Sequence, residues 1–91
     1  MSAKIKFFAY FRELFAAKDR EIPIQAGTTL RDVLSVLCDS PDRRSELFDG
    51  DVLKPHIVII KNGAGIQSLQ DLETPLQDGD VLSIFPLMGG G

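Results

Sequence analysis

At 91 residues and a net charge of −3, the chain is one domain of a size that buries roughly 60 to 65% of its unfolded surface around one modest core. Lys and Arg are scattered singly apart from Arg43-Arg44, so no basic stripe meets a phosphate backbone and nucleic acid is not an expected partner. The one cysteine, Cys38, excludes an internal disulfide and suits a reducing cytoplasm, and no apolar run nears the roughly 18 residues of a membrane span, so no membrane partner is expected.

Lys4 to Ala9 begins with polar-apolar alternation, which puts Ile5 and Phe7 on one strand face and Lys4, Lys6 and Phe8 on the other. Phe8 is the odd residue there, an aromatic beside two lysines. From Tyr10 the period changes: Phe11, Leu14 and Phe15 fall at helical spacing, and Lys18-Asp19-Arg20 closes the short helix. Glu21 to Ile24 is a brief strand held to a sheet edge by Pro23. Thr28 or Thr29 then caps the central helix, whose apolar stripe is Leu30, Val33, Leu34, Leu37 and Cys38. Cys38 on that stripe reads as a plain buried thiol. Ser40-Pro41-Asp42 caps a further helical turn over Arg43 to Phe48, and Asp49-Gly50-Asp51 is a turn.

His56 to Lys61 is the most strand-like run and meets Asn62-Gly63, a strong hairpin signal. Its apolar residues do not alternate, so both faces need cover. His56 is the only histidine and has no spaced metal ligands and no nucleophile partner, which makes it structural and leaves no metal site. Ala64 to Ser68 returns as a short strand, and Leu69 to Leu76 is a loop or single turn. Asp78-Gly79-Asp80 starts the last strand, Val81 to Phe85, and Pro86 should end its pairing because it has no N–H to donate. The pattern is α+β, one sheet packed on one main helix.

Beyond Pro86 stand Leu87, Met88 and three glycines, Gly89 to Gly91. Three residues without side chains lose much entropy when ordered and pack against nothing, so folding does not explain them. A terminal carboxylate is an anion at neutral pH, with a pKa near 3.3 to 3.7, and a poor electrophile until an activating group replaces its charge. The chain has no phosphate-binding loop, metal set or acid-base pair, so another protein must activate it. Leu87 to Gly91 reaches at most roughly 15 to 18 Å, enough to thread into a partner's active site.

Four segments together resemble the ubiquitin-like sulfur carriers, the small subunit of molybdopterin synthase and the thiamine sulfur carrier. They are Phe7 to Leu14; Lys61-Asn62-Gly63; Thr74-Pro75-Leu76 with Asp78-Gly79-Asp80; and the glycine terminus. The first segment and the chain length look like the molybdopterin type. The resemblance implies a ubiquitin-like β-grasp over 1–86, a mixed sheet with the first and last strands side by side at its centre, and a flexible tail over 87–91. It also implies that the chain binds no cofactor. An E1-like adenylating enzyme uses ATP to adenylate Gly91, sulfur replaces one oxygen to give a thiocarboxylate, and the molybdopterin synthase large subunit takes the sulfur to a pterin precursor. The domain would be the non-catalytic, sulfur-carrying subunit, with Leu87, Met88, Gly89 and Gly90 inserted into the partner.

The family usually has Pro-Pro after the last strand and a small or β-branched residue before the terminal pair. Leu87 and Gly89 depart from that pattern, which implies a looser tail. Strand alternation points Leu82 and Ile84 inward and Ser83 and Phe85 outward, so Phe8, Phe85 and Pro86, joined by Ile59, form the expected partner interface. A ubiquitin-like modifier joined to lysines, a carrier for thiamine or another thiolation pathway, and an inert module are the alternatives.

Overall fold

The computed structural model describes residues 1–87. Strand β1, Ser2–Phe7, buries Ala3, Ile5 and Phe7 by simple alternation. It stops where Ala9 takes a left-handed φ of +56° and turns the chain into helix α1, Phe11–Leu14. Phe7 stacks on Phe15 with ring centroids 4.7 Å apart, so the single turn of α1 is fastened to the core by aromatics. Ala16, also at φ +56°, ends it.

Strand β2, Asp19–Pro23, pairs antiparallel with β1 at the sheet edge, as Pro23 implies. It begins earlier than the sequence suggests: Asp19 and Arg20, expected to close the helix, pair with Lys6 and Ile5. Helix α2, Leu30–Leu37, starts at a reciprocal cap in which the Asp32 amide donates to Thr29 Oγ1 and the Thr29 amide to Asp32 Oδ2. Leu30, Val33, Leu34 and Leu37 are all buried, each contributing about 1.5 to 3 kcal/mol by leaving water. Helix α3, Pro41–Leu47, is capped by Ser40. A small hairpin of β3, Phe48–Asp49, and β4, Val52–Leu53, turns at Gly50.

Strand β5, Ile57–Lys61, leads through Asn62 and Gly63, both at positive φ, into β6, Ala64–Gly65. The two positive φ values are the hairpin geometry that Asn-Gly favours. The return strand does not run to Ser68: Ile66 turns into the core, and one 3₁₀ turn covers Ile66–Ser68 and another Asp71–Glu73. Strand β7 is Val81–Pro86.

Among the described residues the main sheet has the order β2-β1-β7-β5-β6, with β1 and β7 parallel at its centre and the other pairs antiparallel. Leu82 and Ile84 of β7 join α2 in a single core. The opposite sheet face shows Lys4, Lys6, Val58, Ile60, Val81, Ser83 and Phe85, none of them buried. This is the ubiquitin-like β-grasp, a mixed sheet on one main helix.

Candidate functional site

The parallel β1–β7 pair sets Phe7 opposite Ile84, so the next outward residues, Phe8 and Phe85, meet on the open face. Their rings stand edge to face, 86° apart with centroids at 6.1 Å, a favoured aromatic geometry. Phe8 is 37% exposed. The Arg12 guanidinium lies 5.6 Å from the Phe8 ring centre and Arg12 Nε donates to the Phe7 carbonyl at 3.0 Å, which holds Phe8 from behind. Phe8, Ala9, Ile60, Ser83, Phe85 and Pro86 line an open cleft of about 450 Å³. The small Ala9 in its left-handed turn leaves room at the rim.

Ile59, expected on this patch, is fully buried, and Ile60 takes the place beside Ser83. The reason is strand parity. Ile59 pairs with Ile84, so both point to the core, whereas Val58 and Ile60 pair with Phe85 and Ser83 on the open side. One signal for this was present in the sequence: the polar His56 shares parity with Val58 and Ile60 and marks the solvent face. Pro86 lines the end of the cleft but is itself mostly buried, continuing the inward parity of Leu82 and Ile84.

Pairing does not end at Pro86. Its register partner is Ile57, and the next amide, Leu87 N–H, donates to the His56 carbonyl at 2.6 Å. Only alternate residues of an antiparallel strand bond a given neighbour. Asn62–Val81 and His56–Leu87 lie on the bonding parity towards β5, and Pro86 does not. The ladder therefore passes Pro86 without losing a bond. His56 is exposed, with Nε2 3.5 Å from the Tyr10 hydroxyl, so the start of α1, the start of β5 and the end of β7 converge where the tail leaves the domain. Met88, Gly89, Gly90 and Gly91, the remaining tail residues singled out, lie outside the described residues.

Residues 5–91 match the ThiS family. The chain belongs to that family. Small archaeal modifier protein 3 of Haloferax volcanii is 34% identical over the full length of both chains. The solution structure of small archaeal modifier protein 1 from Methanosarcina acetivorans superposes with a TM-score of 0.85 at 34% identity, covering 99% of this chain and 96% of that one. A putative molybdopterin converting factor, subunit 1, from Pyrococcus furiosus gives 0.75 at 27% identity, over 97% and 99%. These similarities place the chain among the ubiquitin-like sulfur carriers and modifiers.

In this ThiS-family chain the far end of β7 is fixed by Asp80, which is mostly buried. Its carboxylate accepts from the Gln77 amide at 2.8 Å and from Asn62 Nδ2 at 2.9 Å, with Lys61 Nζ at 3.4 Å. Burial pushes the Asp80 carboxyl up, but the Gln77 and Asn62 hydrogen bonds and the Lys61 charge outweigh it and leave the group below its ordinary value. Asn62 Oδ1 in turn accepts from the Val81 amide at 2.8 Å. The two turn motifs singled out in the sequence thus clasp each other, a link that local turn chemistry does not reveal. Thr74-Pro75-Leu76 fastens the opposite side: the Leu30 amide donates to Thr74 O and the Leu76 amide to Thr28 O, pinning the start of α2.

Cys38 is not a helix residue on the stripe but the C-cap of α2, half-buried, with Sγ 3.8 Å from the Arg43 carbonyl. Burial pushes its thiol up to about 11, Arg44 opposing, so it is protonated at neutral pH and a weak nucleophile.

Proposed function

We propose that this chain is a sulfur carrier whose working group is the Gly91 carboxylate and whose docking surface is the Phe8–Phe85 cleft. The observation that carries this reading is continuity: the apolar cleft ends at Pro86, and the next residue, Leu87, is the one that precedes Met88 and the glycines in the chain. A partner seated on the cleft thereby receives the tail. The scaffold holds the domain outside while the glycines, having no side chains, pass through a narrow channel.

The chemistry follows from the carboxylate. An E1-like adenylating enzyme brings ATP, the Gly91 oxygen attacks the α-phosphate, and pyrophosphate leaves. The acyl adenylate is a good electrophile; a sulfide-level donor adds at its carbon and AMP departs, leaving a thiocarboxylate. That sulfur goes to a pterin precursor on a molybdopterin synthase large subunit, for which the Pyrococcus neighbour's name is the support. ATP is consumed by the partner, and this chain is the cosubstrate. Its work lies in the cytoplasm.

A second reading has its own support, the 34% identity to a protein named a modifier. There the same adenylate meets a lysine amine and ends as an isopeptide. Intact-protein mass spectrometry separates the two. After incubation with an adenylating partner, ATP and a sulfur donor, the carrier shows sulfur replacing oxygen at the terminus, and the variant lacking Gly91 does not. Removing Gly91 draws the acyl carbon back roughly 3.3 to 3.6 Å, well beyond a near-attack geometry. A Gly91 deletion that still acquired sulfur would overturn the proposal, and accumulation in lysine-linked ladders without thiocarboxylate would favour the modifier.

A further inference from the structure

At the point where the family usually carries a second proline this chain has Leu87, and the structure gives that substitution a use. Leu87 is 63% exposed, so its side chain is mostly in water. Its amide, which a proline would lack, is bonded to the His56 carbonyl at 2.6 Å. The residue before it is pinned as well, since Pro86 is buried against Ile57. Leu87 is therefore tied to β5 on the side where His56 meets Tyr10.

We infer that the Leu87 amide and the His56 carbonyl form a positioning clamp for the reactive terminus, so that the free reach begins at Met88 and not at Leu87. This rests on the reading of Gly91 as the activated group. The four residues from Met88 to Gly91 then span at most roughly 13 to 14 Å, and the adenylating site must lie within that distance of the clamp. The clamp opposes the loosening that loss of the second proline implies. It does so differently, because proline fixes φ near −65° whereas a residue continuing an antiparallel ladder sits nearer −140°. Holding the root cuts the number of tail conformations to be discarded on docking, so it acts on apparent affinity more than on the bound chemical step.

Two variants separate amide from side chain. Leu87→Pro removes the donor and is compatible with the strand, because Pro86 already has the extended backbone that a following proline requires. Leu87→Ala keeps the donor. In the native chain and in L87A, hydrogen exchange at the residue 87 amide is expected to be at least ~10-fold slower than in an unstructured peptide. In adenylation assays L87P raises KM by roughly 5- to 10-fold with kcat within about twofold, as loss of pre-organisation demands, and L87A raises KM by less. Free exchange of the native Leu87 amide overturns the clamp, as does an unchanged KM in L87P or an equal rise in both variants. A native chain that no adenylating enzyme accepts overturns the functional reading and the positioning role, while the exchange rates still decide whether the clamp exists.

Discussion

The two faces of β7 do opposite work with adjacent residues. Leu82 and Ile84 are fully buried in the core, whereas Val81, Ser83 and Phe85 keep part of their surface on the open side. The inner face is covered from within one chain, in the core cluster that also holds the four buried apolar residues of α2. The outer face has Phe8 and Phe85 supporting each other at 6.1 Å, rimmed by Lys4, Lys6 and Arg12. That half-covered aromatic pair is the docking surface proposed above. If partners dock there, stability and recognition are divided by strand parity, one residue apart, and substitutions on the two faces should separate them cleanly.

The largest loss of stability belongs to the inner face. Ile84→Ala removes a fully buried side chain at the centre of the sheet, between β1 and β5, and should cost about 2 to 5 kcal/mol in urea unfolding. A cost below about 1 kcal/mol would mean that the two faces are not distinct. Next comes Asp80, which fixes the end of β7 remote from the tail. Because its folded pKa lies below the unfolded value near 3.9, its contribution is present above that pH and is lost as pH falls through the folded pKa. Asp80→Asn keeps the shape but sets an NH₂ group against the donors around it and removes the charge facing Lys61. It should cost roughly 1 to 3 kcal/mol at pH 7 and flatten the acid limb of the stability curve below about pH 4. A D80N curve parallel to the native one down to pH 2 would show that the carboxylate's charge is not what the network uses.

Which parts of this arrangement could be read beforehand follows the range of the interactions. Alternation in β1 and β7, the Thr29 cap and the Asn62-Gly63 turn are set by residues within a few positions, and the structure has them where local physics puts them. The Phe8–Phe85 meeting needed the parallel pairing of the first and last strands, which came with the family resemblance and not from periodicity. Ile59 went to the wrong face because an unbroken apolar run such as Ile57 to Ile60 has no parity of its own; the flanking polar His56 hints at it and the partner strand assigns it. Pro86 was read as a stop because proline lacks a donor, yet a strand between two neighbours alternates its donors, and only the register shows which side the missing one faced. The Asp80–Asn62 link spans 18 residues and could not be inferred from either turn alone.

On the outer face the effects on stability shrink and those on binding grow. Phe85→Asp should leave unfolding free energy within about 1 kcal/mol of native, since the side chain already keeps some contact with water. It should weaken binding to an adenylating partner by about 2 kcal/mol or more, the loss expected when a charge replaces an aromatic anchor at the middle of an interface. Calorimetric titration paired with thermal unfolding reads both quantities on one sample. Loss of the fold would move Phe85 into the core and remove the patch, and unaltered affinity would move the interface elsewhere.

The smallest effect is expected at the one side chain whose element could itself have carried sulfur. Cys38 lies at the C-terminal end of α2, and its half-buried thiol is held up to about 11, mainly by burial. At pH 7 to 8 only a very small fraction is thiolate, so it is poorly suited to accept sulfur as a persulfide or to attack an acyl adenylate. Cys38→Ala takes away a partly buried sulfur and should cost about 1 kcal/mol or less. Sulfur loading in the mass-spectrometric assay should be unchanged if, as proposed, the acceptor atom is the carbon of the terminal carboxylate. Iodoacetamide labelling of the folded native chain at pH 7.5 should accordingly be slower than that of a small free thiol. If C38A lost its sulfur gain while remaining folded, the sulfur would reside on the thiol, and the division between a scaffold that only positions and a terminus that reacts would not hold.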